Sequence, residues 1–188
     1  MKLMALNIFL LLMMMFTFSA FVGAKSFQER LQKAESQLVG PRSDLDRFYN
    51  LDEVAKASFE MGAFEKAKKY ASELLSLAPQ FKSNWNYGNA IHDGNMVLGR
   101  VALHEGKVDD AKAFLLAAGK TPGSPQLDSF GPNLSLAKDL LEQGYKEVVI
   151  QYLDLCVIFW ETHLVDIKKW KSEIDSGAVP DFGANLIY

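Results

Sequence analysis

Lys56, Arg100 and Lys138 are separated by 44 and then 38 residues, and each is followed four residues later by a second polar side chain: Glu60, His104 and Glu142. Three cations at recurring positions could grip an acidic segment or a terminal carboxylate, because hydrogen bonds to ionised groups are about twice as strong as neutral ones. A local account fits the same residues. Lys56–Glu60 and Lys138–Glu142 are i,i+4 pairs of opposite sign, worth about 0.2–0.5 kcal/mol each on a solvated helix. Arg100, with His104 beside it, lacks an acidic residue at that local spacing, which makes it the best single residue for partner capture.

A second constellation lies in residues 84–95, NWNYGNAIHDGN. Trp85, Tyr87, the Asn89-Ala90 step, His92 and Asp93 combine amides, aromatics and a titratable pair, a mixture suited to recognition. Asparagine, glycine and aspartate are equally turn and cap residues, so His92 or Asp93 could simply start a helix, with Trp85 buried over a seam between helices. Residues 124–133 admit the same two readings, with Gln126, Asp128 and Phe130 as a clamp between the second and third of three helical pairs.

Metal and covalent chemistry find little to work with. His92 and His104 are twelve apart and His163 is remote, with no His-x-x-x-His pair and no cysteine cluster, so the usual zinc spacings fail. A metal at His92-Asp93 is the remaining variant of a small-ligand reading. No phosphate-cradling glycine loop and no G-x-S-x-G elbow occurs. Cys156 falls on an apolar stripe and reads as a small core residue. We expect no enzyme, no cofactor and no metal site.

The elements that must position these residues read as helices throughout, with no alternating strand pattern. Helical spacing predicts elements over 26–38, 51–60, 64–77, 95–105, 108–118 and 134–142. A last helix starts at Tyr145 and runs unbroken to about Ile174, along Val149, Leu153, Cys156, Trp160, Leu164, Ile167, Trp170 and Ile174. Residues 120–132 hold three prolines and two glycines and read as a loop.

Residues 1–24 have the three parts of a secretory signal: Lys2, an apolar run from Leu3 to Phe18, then small residues with Val22 and Ala24 before a cut at Lys25. The other reading is an uncleaved membrane anchor, which the abrupt polarity of residues 25–30 opposes. With cleavage after Ala24 the chain is exported, periplasmic or secreted, and meets the membrane only in transit. The only cysteine, Cys156, rules out both an acylated cysteine at the cut and an internal disulfide. Removing residues 1–24 takes Lys+Arg from 20 to 19 and the net charge from −3 to −4. Such a mildly acidic chain has no electrostatic drive towards nucleic acid.

Three helical pairs each turn at a glycine, Gly62, Gly106 and Gly144, followed five residues later by Ala67, Ala111 and Val149. Leu98-Gly99 opens the middle pair, with Val54-Ala55 and Leu136-Ala137 in equivalent places, and Pro79 closes the first. On these residues, over 49–160, the sequence resembles the tetratricopeptide family, most specifically in EMGAFEKAKKYASELLSLAP. It departs from the motif in its glycine spacing, in its early tryptophan and tyrosine, and in the third alanine. It is also similar to small exported bacterial repeat proteins with NAIHDGNMVLGRVAL-like and SPQLDSFGPNLSLAKDLL-like segments, which adds a fold and no activity. The resemblance implies an all-α fold: three hairpins stacked as a short solenoid over 48–175, with an N-terminal helix and linker over 25–47, a long C-terminal capping helix and a tail over 176–188. It also implies a concave groove at Lys56, Glu60, Arg100, His104, Lys138 and Glu142. The function expected is a protein-interaction module or scaffold of the cell envelope with a protein or peptide partner. The alternatives are a small-molecule or metal-binding protein using residues 84–95, and a structural protein forming homo-oligomers through its tail, Leu186-Ile187-Tyr188.

Overall fold

The computed structural model describes residues 27–40 and 43–186. The signal over 1–24 and the last two tail residues lie outside them. Among the described residues the chain forms nine α-helices and no strand. They are α1 (27–38), α2 (Asp44–Glu60), α3 (Phe64–Leu77), α4 (Tyr87–His104), α5 (Val108–Gly119), α6 (Pro125–Phe130), α7 (Ser135–Glu142), α8 (Lys146–Cys156) and α9 (Leu164–Asp175).

Three helical pairs share one closing geometry. Gly62, Gly106 and Gly144 have φ of +71°, +75° and +87°. The next residue's N–H donates back across the turn in each: Ala63 to Ser58 O at 2.9 Å, Lys107 to Ala102 O at 2.8 Å and Tyr145 to Leu140 O at 3.0 Å. This left-handed cap consumes carbonyls that a helix end would leave open, and only glycine adopts it without strain. It joins α2 to α3, α4 to α5 and α7 to α8. The pairs then pack on each other: α3 against α4, α5 against α8, with α4 also touching α2, α6 and α7.

Helix α2 begins at Asp44 and not at 51. Ser43 Oγ accepts from Asp46 N at 3.1 Å, Asp44 and Asp46 favour the positive end of the helix dipole, and Phe48 is fully buried one turn before Leu51. The expected boundary between 47 and 48 therefore falls inside a helix. Helix α1 packs Leu31, Ala34 and Leu38 into the same core as Phe48, Leu51 and Val54.

Helix α4 begins at Tyr87, two turns earlier than expected, so most of the asparagine-rich segment is helical. Its glycines mark close contact and not a break. A Cβ on Gly88 would lie 1.7 Å from Gly123 O, so the 121–123 segment sits directly on the helix backbone. The 120–132 loop contains α6: Ser124 Oγ accepts from Leu127 N at 3.0 Å and Pro125 occupies the first turn, a standard helix start.

The long last helix is broken. Helix α8 stops at Cys156, a turn over 157–159 and a 3₁₀ turn (Glu161–His163) follow, and α9 folds back. The cause is burial. Phe159 and Trp160 are both inside the core, although neighbours on one helix point about 100° apart. The turn lets both in, with the Trp160 indole against Gly131 and ring stacking on His163 at 4.3 Å.

Candidate functional site

All six residues of the expected cationic pattern lie on α2, α4 and α7, but not as a row of open charges. Lys56 Nζ is 2.8 Å from Asp52 Oδ2, one turn earlier, and 3.2 Å from Asp93 Oδ2 on α4. The expected Lys56–Glu60 pair is thus replaced: Glu60 accepts from Arg30 Nη1 of α1 at 2.5 Å, and Arg30 also holds Glu53. Arg100 does have an acidic neighbour, Asp139 Oδ2 at 3.5 Å, and its guanidinium lies 4.3 Å over the Phe59 ring. Local spacing could not show a partner supplied by the next helical pair. Lys138 pairs with Glu142 as expected.

These contacts create a ledge between the ends of α2, α4 and α7. Phe64 stacks on His104 at 3.8 Å and meets Phe59 edge-on at 5.5 Å, continuing the row that Arg100 starts. Beside it opens a hollow of about 300 Å³ bounded by Phe59, Arg100, His104, Asp139, Glu142 and Gln143. Burial pushes the Asp139 carboxyl up, and Arg100 pulls it back. Arg100, His104 and Glu142 are brought together here, while Lys56 and Glu60 are not.

Residues 84–95 divide differently from either reading. Trp85 is 57% exposed and not buried over a seam; it stacks on Tyr49 at 5.9 Å, whose hydroxyl accepts from Asn84 Nδ2 at 2.7 Å. Ala90 is in the core and Tyr87 packs against it. His92 and Asp93 are not caps but lie inside α4. His92 is fully buried, with Nδ1 2.6 Å from Asp93 Oδ1 and Nε2 3.1 Å from the Tyr152 hydroxyl of α8. A chain of polar contacts therefore runs Asp52–Lys56–Asp93–His92–Tyr152, linking α2, α4 and α8.

Two carboxylates sharing one lysine titrate in opposite directions. Burial pushes Asp52 up to about 6, with Lys56 pulling down and Asp93 adding to the rise. Asp93 feels the same burial, yet Lys56 and His92 hold it well below the usual carboxylate range. Between about pH 4 and pH 6 the folded chain keeps a proton on Asp52 that the unfolded chain, at about 3.9, has lost. Stability therefore falls through Asp52 as pH rises across that window, by about 3 kcal/mol at most, and is level above it. Asp93 works the other way, its contribution fading only below the ordinary carboxylate pKa. We predict that Asp52→Asn flattens the fall: urea midpoints for wild type and variant should diverge from pH 4 to 6. An unchanged difference across the window would assign the titration elsewhere.

Beside this chain lies a smaller hollow of about 170 Å³, lined by Lys56, Asp93, Asn89, Gln126, Asn133 and Asn185 among others. Asn89 ties the α6 segment to α4, donating to Gln126 Oε1 at 3.1 Å and accepting from Ser124 Oγ at 2.5 Å. Thr121 Oγ1 adds a bond to Gly88 O at 2.7 Å. Of the residues expected to clamp the second pair to the third, Gln126 bonds to Asn89 of the second pair, while Asp128 and Phe130 are exposed. The tail is not a free apolar end over its described part. Asn185 Nδ2 donates to Phe130 O and Pro132 O, both at 3.0 Å; Leu134 N donates to Asn185 O at 2.7 Å, and Ser135 Oγ to Leu186 O at 3.2 Å.

Asp52, Tyr152 and Asn185 were not singled out by sequence. Asp52 had a signal, its i,i+4 spacing to Lys56; Tyr152 and Asn185 meet partners 60 and 53 residues away and had none. Among the described residues no group of three or more His, Cys, Asp and Glu could hold a metal, and no helix is long and apolar enough to cross a membrane. Cys156 is buried, and that burial pushes its thiol up to about 12.

Compared with family models, curated proteins and solved structures, the chain matches none.

Proposed function

We propose that the chain is an exported interaction module of tetratricopeptide type, holding a protein or peptide partner on the face of α2, α4 and α7. The observation that carries this reading is the ledge of Arg100, Phe59, Phe64 and His104 with its open hollow of about 300 Å³. Aromatic and arginine side chains dominate the binding energy of protein interfaces, and here they border a concavity with Glu142 and Gln143 as polar rim. The repeated glycine turns support the tetratricopeptide register, and residues 1–24 support export. Recognition works through this one ledge and not through a ladder of three cations, since Lys56 and Lys138 are each committed to carboxylates.

Site-specific photocrosslinking in intact cells tests this. A crosslinker at Gln143, on the ledge, should give a discrete adduct that one at Lys69, exposed on α3, does not. Phe59→Ala should reduce the Gln143 adduct at least severalfold. Equal adducts from both positions, or none from Gln143, would remove the ledge from consideration. Arg100→Glu would be a poor probe, because it sets a carboxylate against Asp139.

A further inference from the structure

The geometry points to the smaller hollow, between α2, α4, α6 and the tail, as a binding site for a neutral, hydroxyl-rich small molecule the size of one sugar ring. The site is separate from the ledge and does not depend on it.

Charge selects against ions. Lys56 is gripped by Asp52 and Asp93, and Asp93 also by His92. A charged ligand would have to draw one of these groups away and strand its partner in a mostly buried place, which is costly. A neutral ligand leaves these contacts intact.

The remaining polar groups are amides. Asn89, Gln126, Asn133 and Asn185 come from four segments of the chain and meet at one hollow. The N–H groups of Asn89 and Asn185 are spent on protein acceptors, so these amides offer oxygens and Gln126 offers its Nε2 donor, a set that suits a molecule with several hydroxyls better than one with a single charge. Three are already fixed in direction: Asn89 by Asn86, Ser124 and Gln126, Asn133 by accepting from Ser135 N at 2.9 Å, and Asn185 by the two carbonyls it donates to. Groups held in place before binding lose little freedom on binding. Gln126 accepts from Asn89 through Oε1, and its Nε2 donates to no described residue.

Phe130 supplies the apolar part. It is on the lip of the hollow and 76% exposed, so its ring face is open to a ligand seated there. A flat ring beside hydrogen-bonding amides complements a sugar, whose C–H face is apolar and whose edge is polar. About 170 Å³ is the share of liquid volume of about six waters, room for one such ring and not for a chain of them.

The test is ligand-observed saturation-transfer NMR on the full mature chain, with D-glucose, D-galactose, D-mannose and N-acetyl-D-glucosamine as probes at millimolar concentration, and glycine and acetate as charged controls. We expect transfer to the ring protons of at least one sugar. Phe130→Ala and Gln126→Ala should each weaken it about tenfold. Phe130 is exposed, so thermal unfolding should be unchanged by its loss, while Gln126→Ala gives up the bond from Asn89 and its binding is measured well below its own unfolding midpoint. The inference is overturned by no transfer to any of the four sugars, by transfer that both variants retain, or by glycine or acetate binding more tightly than every sugar.

Discussion

Gly88→Ala is expected to destabilise the fold by about 3 kcal/mol or more, at a helical position where propensity alone would predict a gain of up to about 1 kcal/mol. The added Cβ would meet Gly123 O at 1.7 Å and its carbonyl carbon at 2.5 Å. Both are backbone atoms, so no side chain can rotate to relieve the overlap. The 121–123 segment would have to lift from α4, breaking the bond from Thr121 Oγ1 to Gly88 O. Gly123 in turn abuts Phe159, so the displacement would reach the core turn after α8. Gly106→Ala is the matched comparison. It has open space around it and only a φ of +75° to oppose an alanine, a cost of about 1–2 kcal/mol. Urea unfolding of the two variants separates steric from conformational cost, and a neutral Gly88→Ala would mean that the segment does not rest on α4.

Asp93→Ala carries the other large effect, about 3–5 kcal/mol. Lys56 and Asp93 are only 14% and 15% exposed, and Asp93 serves two partners at once, Lys56 and His92. Its removal takes from Lys56 one of its two carboxylate contacts described above and strands the His92 ring nitrogen in a fully buried place. Deleting one member of a buried pair costs more than the pair is worth, because the survivor keeps its desolvation penalty. The double variant Asp93→Ala with Lys56→Met should therefore lose clearly less than the sum of the two single losses. Strict additivity in chemical denaturation would show that the two side chains are not coupled, and would remove the reason for treating Lys56 as held by Asp93 beside the hollow.

What could be read from sequence follows from how local each cause is. Helix α3 was legible at both ends, since its apolar spacing, the preceding Gly62 and the closing Ala78-Pro79 all lie within a few residues of it. The start of α4 was not, because asparagine and glycine speak for a turn when their neighbours are unknown. Only the Gly123 carbonyl and the Ser124 hydroxyl explain why Gly88 and Asn89 belong in a helix. The break after α8 was hidden for the same reason, as its cause is the fit of Trp160 against Gly131. Of the candidate residues, Arg100, His104 and Glu142 do meet. Lys56 turned out to belong with Asp93, which sequence had assigned to a separate constellation.

The bonds of the tail to α7 also set an order of events. Ser135 and Leu186 are 51 residues apart, and the wall that Ala184 and Asn185 form cannot exist until those residues have been made and delivered. The core shared by α1, α2, α3 and the start of α4 draws on residues 31–90 alone. A chain emerging from its N-terminal side can therefore settle its first half while the second is still being supplied, and the smaller hollow is assembled last.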